Sequence, residues 1–245
     1  MAKFFVCSDI HSFYTPLKKA LDEKGFDPSN GDHWLVVCGD VFDRGDESEE
    51  VLQFLMSLER KILVKGNHEQ LLLDCINRGY QLSHDWHNGT SRTIMDLAPN
   101  AEFFEVGCSV AYYKVKDFID GMANYFETKK YIFVHSWIPT ISPNKIYCKY
   151  DEDWRNATND RWEDAMWGNP FDMHTLGLNQ TGKTIVFGHW HCSTGHKMLG
   201  HCEDEFDGDA IWEPCYAEGI IGIDRCTAYT GEVNVLVIED EFLEV

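Results

Sequence analysis

Five short apolar runs in this chain each stop at a residue that can bind a metal or move a proton. The runs are 3–8, 33–38, 61–64, 131–134 and 184–187, each bounded by polar residues or glycine and short enough to read as a buried strand. They end in Asp9 and His11, in Asp40, in Asn67 and His68, in His135, and in His189 and His191. Two helical periods separate the first three. Phe13, Leu17, Ala20 and Leu21 recur at helical spacing before Gly25, and Val51, Leu52, Leu55 and Leu58 form one face of 47–58. Strand, helix, strand, helix, strand in this rhythm predicts parallel βαβ units and an α/β fold. Open α/β sheets place ligands beyond the carboxyl ends of their strands, so the five loaded ends are expected to meet. A lone histidine after a strand is more often a hydrogen-bonded core or surface residue than a ligand. Five filled strand ends in one chain argue against accident.

The rest of the chain supplies fewer signals. Residues from about 70 to 130 read as a mostly helical insertion beside the sheet, placed to cap the site. Residues 144–164 and 192–214 have no clean period and are expected to be loops. The stretches 219–223 and 233–238 read as closing strands joined by a turn at Thr230-Gly231-Glu232. Without a repeat or a low-complexity linker, the 245 residues are expected to form a single domain, 1–245. The formal charge of −20 disfavours a nonspecific nucleic-acid binder, though local cations can still admit an anionic substrate. No run is long enough to span a membrane, and the N-terminus shows no apolar segment with a cleavage site. The nine cysteines include Cys7, Cys38 and Cys108 within apolar runs, which suits reduced thiols in the cytosol. Nothing in the sequence indicates an oligomeric state.

Carboxylate, amide oxygen and imidazole suit borderline divalent ions such as Mn²⁺, Fe²⁺ or Zn²⁺. The set is too large for one ion and about right for two, with Asp40 the central carboxylate able to bridge them. No cysteine joins it, unlike a closed structural zinc site. Cys192, His196, His201 and Cys202 have ligand chemistry but fit no common zinc-finger spacing. The aromatic group Trp137, Tyr147, Tyr150, Trp154, Trp162 and Trp167 reads as packing in preference to a substrate groove.

The motifs Asp9-Ile10-His11, Gly39-Asp40-Val41-Phe42-Asp43-Arg44-Gly45, Gly66-Asn67-His68-Glu69, His135 and Gly188-His189-Trp190-His191 resemble the signature of the calcineurin-like metallophosphoesterases. The Asp-Arg-Gly ending and Glu69 resemble the PPP-type branch. That branch takes in bacteriophage lambda-like and other bacterial Ser/Thr protein phosphatases and the symmetrical diadenosine tetraphosphatases. The likeness runs from residue 3 to about 240 and includes Trp86-His87-Asn88-Gly89 and Gly222-Ile223-Asp224 with Tyr229. It implies two packed mixed β-sheets flanked by helices. It implies Asp9, His11 and Asp40 around a first metal, and Asp40, Asn67, His135 and His189 around a second. His191 departs from the PPP pattern but matches the wider superfamily, where that histidine adds to the first metal. Arg44 would bind substrate phosphate, with Asn88 alongside, and His68 would be the general acid oriented by Asp43. Two further departures bear on substrate. No arginine stands in register near Met166-Trp167-Gly168-Asn169-Pro170, and His135 is followed by Ser136-Trp137. The expected function is a two-metal phosphomonoester hydrolase, Mn²⁺ first among its metals, that uses a metal-bridging hydroxide. Its substrate would be a phosphorylated protein, as for a Ser/Thr protein phosphatase, or a small phosphate ester. A nucleotide or dinucleoside polyphosphate hydrolase is the alternative, and a non-catalytic scaffold of the same fold the second alternative.

Overall fold

The computed structural model describes residues 1–98, 110–142 and 147–243. Cys108 and the centre of the expected insertion therefore lie outside the described residues. Two sheets form the framework. The first has the order β11-β1-β2-β3, from β1 (Ala2–Cys7), β2 (His33–Cys38), β3 (Lys61–Val64) and β11 (Leu236–Asp240). Its first three strands are parallel, and β11 closes the edge antiparallel to β1. The second has the order β4-β5-β8-β10-β9, from β4 (Phe126–Glu127), β5 (Tyr131–Phe133), β8 (Thr184–His191), β9 (Cys215–Ala217) and β10 (Ile220–Asp224). Here β5, β8 and β10 are parallel, with antiparallel edges. Both sheets are mixed, as the resemblance implies.

Side-chain alternation along the strands builds three apolar layers. Phe4, Val6, Val36 and Cys38 meet Phe133, Val186, Ile221 and Ile223 between the sheets. Phe5, Cys7, Leu35 and Val37 face outward onto α1 (Tyr14–Glu23), α2 (Ser48–Ser57), α3 (Asn67–Arg78), α5 (Thr90–Leu97) and α6 (Val110–Asp120). Ile132, Val134, Ile185 and Phe187 face the opposite way, onto Trp137, Trp154, Trp162 and Phe171. The three tryptophans are thus packing, whereas Trp167 and Tyr147 are exposed. The short α4 (Ser83–Asn88) joins α3 to α5, so the described part of the insertion is mostly helical, with β4 near its end.

Several expectations change. The two closing strands, β10 and β11, belong to opposite sheets. The turn between them, α10 (Thr227–Thr230) closed by Gly231 with φ +68°, carries the chain across the sandwich. The stretch 192–214 is not all loop. Its first turns are helical, α9 (Cys192–Met198), held by burial of Cys192, Thr194 and His196 and not by propensity. The described part of 144–164 holds β7 (Lys149–Tyr150), paired with β6 (Thr140–Ile141), and α7 (Asn159–Ala165). The helix α8 (Pro170–Thr175) follows, capped by the Asn169 side chain. α3 begins at Asn67, before the expected start of the helical insertion at about 70, so Asn67 and His68 occupy its first turn.

Candidate metal centre

The five loaded strand ends converge. Asp9, His11, Asp40, Asn67, His68 and His135 are all buried. The backbone there is strained. Eight non-glycine residues among those described have positive φ, and seven are Asp9, His11, Ser12, Asp40, Asp43, Arg44 and His189. Such conformations cost about 1–3 kcal/mol each and collect where function fixes them. Glycine supplies the closest approach, since a Cβ at Gly188 would sit 2.0 Å from Asp9 Oδ2.

Asp40 occupies the middle. Its Oδ1 lies 3.4 Å from His135 Nε2, and its Oδ2 lies 3.8 Å from His11 Nε2. The two oxygens thus face different imidazoles. Potential ligand atoms cluster twice around it, in His11, Asp40 and His68 and in Asp40, His135 and His189. Asp9 Oδ1 is 4.0 Å from His11 Nε2, while its Oδ2 accepts the His189 amide at 2.9 Å. Asn67 Oδ1 is 2.7 Å from His135 Nε2, and His189 Nδ1 is 3.2 Å from the same nitrogen.

The donor chemistry fits a pair of cations. His11 Nδ1 donates to the Phe42 carbonyl and His135 Nδ1 to the Cys38 carbonyl, both at 3.0 Å. A carbonyl only accepts, so in both rings Nδ1 carries a proton and Nε2 is the nitrogen turned inward, the arrangement metal-binding histidines use. At His135 that nitrogen meets an amide oxygen, a carboxylate and a second imidazole. Burial holds His11 well below the usual histidine range, with Arg44 adding to the effect. Burial, and then His135, pushes His189 down to about 3. Neutral imidazole is the form a metal needs. Burial pushes Asp9 well above the usual carboxylate range, reinforced by Asp224 and then Asp40. Burial alone would raise Asp40, but His135, His68, His11 and His189 around it lower it. Crowded buried carboxylates of this kind call for positive charge.

A second group of residues adjoins the ligands. His68 Nδ1 donates to Asp43 Oδ2 at 2.8 Å, leaving Nε2 3.4 Å from Arg44 Nη2. Burial would lower His68, but Asp40 and the hydrogen bond to Asp43 outweigh it and raise it. Asp43 is fully buried and also accepts from Thr90 Oγ1 at 2.6 Å and Thr93 Oγ1 at 2.9 Å. Arg44 is exposed and, among the described residues, has no carboxylate partner. Glu69 clamps the loop. Its carboxylate accepts from the backbone amides of Gly66, Asp40 and Val41 at 2.8, 2.9 and 2.8 Å.

Two expected site residues stand less centrally. His191 joins neither ligand cluster. Its Nδ1 is 3.6 Å from Glu205 Oε1, its ring faces Phe206 and Trp212, and its Cα is in register with Asp224. Asn88 ends α4, half-buried, beside Gly89, whose missing side chain lets the chain pass against Arg44; a Cβ there would be 2.2 Å from the Arg44 amide nitrogen. Of the four residues with zinc-like chemistry, Cys192 Sγ points at the Gly222 carbonyl, while His196 and His201 face each other at 3.0 Å. Sequence reasoning gave no role to Thr90, Thr93 or the buried Asp224. The two threonines lie three apart at the start of a helix, where Ser and Thr usually signal only a cap.

A family model described as calcineurin-like phosphoesterase matches residues 2–213. Over 102 residues the chain is 36% identical to a symmetrical bis(5'-nucleosyl)-tetraphosphatase of Pseudomonas fluorescens strain SBW25, covering 41% of this chain and 34% of that protein. The chain thus spans about a third of that relative's length. A cold-active protein-tyrosine phosphatase of a Shewanella species superposes with TM-score 0.58 at 16% identity, covering 98% of this chain and 76% of that one. A protein serine/threonine phosphatase of Saccharomyces cerevisiae superposes with TM-score 0.54 at 13% identity, covering 100% and 81%. At such identities the two structures share the fold with this chain and nothing finer.

Proposed function

The chain belongs to the calcineurin-like phosphoesterase family, a family of metal-dependent phosphoester hydrolases, and from that premise we propose that it hydrolyses nucleotide or dinucleoside polyphosphates at a two-metal centre. The observation that carries the reading is Asp40, whose two oxygens face separate sets of imidazoles next to an arginine that has no carboxylate partner among the described residues. Asp9, His11 and Asp40 would hold one ion, and Asp40, Asn67, His135 and His189 the other. His191 would join the first only through a change of its present position. Oxygen and nitrogen donors without thiolate suit Mn²⁺, with Fe²⁺ or Zn²⁺ compatible. When bound, such ions supply Lewis acidity and acidify water.

The chain's own residues do the rest. Arg44 offers a planar fork to the phosphoryl oxygens. His68, kept proton-rich and oriented by Asp43, presents Nε2 beside that fork and donates a proton to the leaving oxygen. Thr90 and Thr93 hold Asp43 in place. The Ser/Thr protein phosphatase expected first from the sequence ranks behind, since its support is a shared fold while the curated relative that aligns in sequence is named as a tetraphosphatase. The test is turnover by the Mn²⁺-loaded protein of diadenosine tetraphosphate, a phosphoserine peptide and an aryl phosphate. Preferred cleavage of the dinucleotide, with about two metal ions per chain by elemental analysis, is the expected result. Preferred cleavage of the peptide would overturn the substrate reading, and no turnover of any of the three would overturn the activity.

A further inference from the structure

Of the seven arginines in the chain, five are ion-paired with carboxylates. Arg60 pairs with Glu59, Arg78 with Asp85, Arg155 with Glu127, Arg161 with Asp151, and Arg225 with Glu213 and Glu232. The two that have no such partner among the described residues are Arg44 and Arg92, and they are neighbours. Arg92 Nη1 donates to the Arg44 backbone carbonyl at 3.1 Å. Both line one cavity of about 350 Å³, together with Trp86, His87, Met95 and Ala228. That volume falls within the range of small-molecule sites, about 300–1,000 Å³.

A protein with a net charge of −20 has many carboxylates to spare for its cations. Two arginines that line one cavity without a carboxylate partner favour a bound anion there. Arg44 reaches His68 with its guanidinium and holds Arg92 with its backbone, so it stands between the reacting end of the site and the second cation. One N–H of Arg92 is used on the carbonyl. The remaining donors of a guanidinium suffice for a two-pronged contact with an oxyanion. Trp86 is 58% exposed where it borders this cavity, and an exposed indole face is a stacking surface for a nucleobase.

We propose that Arg92 and Trp86 form a second subsite, next to Arg44, that binds the further phosphate and the base of a nucleoside polyphosphate. A single phosphoryl group occupies Arg44 alone. A substrate with consecutive phosphates reaches Arg92 as well, so the subsite selects chains of two or more phosphates over monoesters. This rests on the polyphosphate reading of the metal centre and specifies where the second phosphate is held.

The experiment is isothermal titration calorimetry of the metal-loaded protein with AMP and with α,β-methylene-ADP, whose bridging carbon resists cleavage. The unmodified protein should bind the diphosphate more tightly. Arg92→Gln should weaken the diphosphate by about tenfold or more, as expected for a lost charge-assisted contact, and weaken AMP several-fold less. Arg92→Lys, which keeps the charge and loses the fork, should fall between. Trp86→Ala should weaken α,β-methylene-ADP more than methylenediphosphonate, which has no base. Equal losses for AMP and the diphosphate in Arg92→Gln, or no preference for the diphosphate in the unmodified protein, would overturn the proposal. Turnover of diadenosine tetraphosphate is read separately. Its absence, with the binding preference and its loss in Arg92→Gln intact, removes the hydrolase reading and leaves the subsite standing. Its presence with equal binding losses does the reverse.

Discussion

His68 is the residue whose proposed role can be separated most sharply from metal binding. Its side chain is tied to Asp43 at 2.8 Å, and only its backbone amide, donating to Asp40 Oδ1 at 3.0 Å, touches the central carboxylate at hydrogen-bond distance. His68→Asn keeps that amide and removes the acid. A departing alkoxide is a poor leaving group and depends on protonation, whereas a nitrophenolate leaves with little help. General acid catalysis contributes about 10²–10⁴-fold, which is roughly 3–5 kcal/mol of barrier. His68→Asn is therefore expected to slow a phosphoserine peptide by that factor and p-nitrophenyl phosphate by far less. Asp43→Asn should give a smaller loss in the same pattern. It replaces a carboxylate that accepts from His68, Thr90 and Thr93 with an amide that has one oxygen to offer. A hydrogen bond to a charged group is worth about 1.5–3 kcal/mol, or roughly 10–150-fold in rate. The assay is kcat on both substrates for each variant, with metal content measured on the same samples. Equal losses on the two substrates at unchanged metal content would refute the acid role and leave phosphate binding as the function of His68.

Two other outcomes test the framework. Gly188→Ala places a methyl group 2.0 Å from Asp9 Oδ2 and 2.4 Å from Ser8 Oγ, so it should cost about 1–3 kcal/mol in urea unfolding and lower metal occupancy; a stable variant with full metal would disprove the close approach. Glu127 is paired with Arg155 at 2.6 Å and with Lys183 at 2.8 Å, and although burial alone would raise it, hydrogen bonds from Arg155 and Lys183 lower its carboxyl below the usual glutamate value. A lowered folded-state value means stability present above the unfolded value near 4.3 and lost as pH falls through the folded one, so Glu127→Gln should cost about 1–3 kcal/mol at pH 7 and progressively less below about pH 4; a cost independent of pH would show that packing, not charge, is what the pair provides.

The strand ends were legible in the sequence because two constraints coincide at each of them. A short apolar run must stop where the sheet meets solvent, and in an α/β fold that is where ligands bind. Asp9, Asp40, His135 and His189 therefore announced themselves by position as well as by type. What stayed hidden lacked one of the two constraints. β10 and β11 are consecutive in sequence with a glycine turn between them, the pattern of a hairpin, and only the edge left open beside β1 sends β11 to the other sheet. The helix α9 has Ser, Thr and Gly in its first turns, and what stabilises it is tertiary burial, to which local propensity is blind.

Arg92, the second cation of the proposed subsite, lacks both constraints. On α5 the apolar face is Ile94 and Leu97, and Arg92 falls on the opposite side, where an arginine reads as an ordinary solvated charge. Its significance comes from three facts that no local window contains. Gly89 brings the start of α5 against the Arg44 backbone, the Arg44 carbonyl fixes one arm of the Arg92 guanidinium, and no described carboxylate comes within pairing distance of either side chain. The first shapes the pocket and the second fixes its cation in place. The third leaves both guanidinium groups without an ion-pair partner among the described residues, which favours an anionic ligand in the pocket. A sequence scan scores an arginine by its neighbours along the chain. The chemistry here is set by which arginines the fold leaves without a carboxylate, and that becomes visible only when every arginine has been placed.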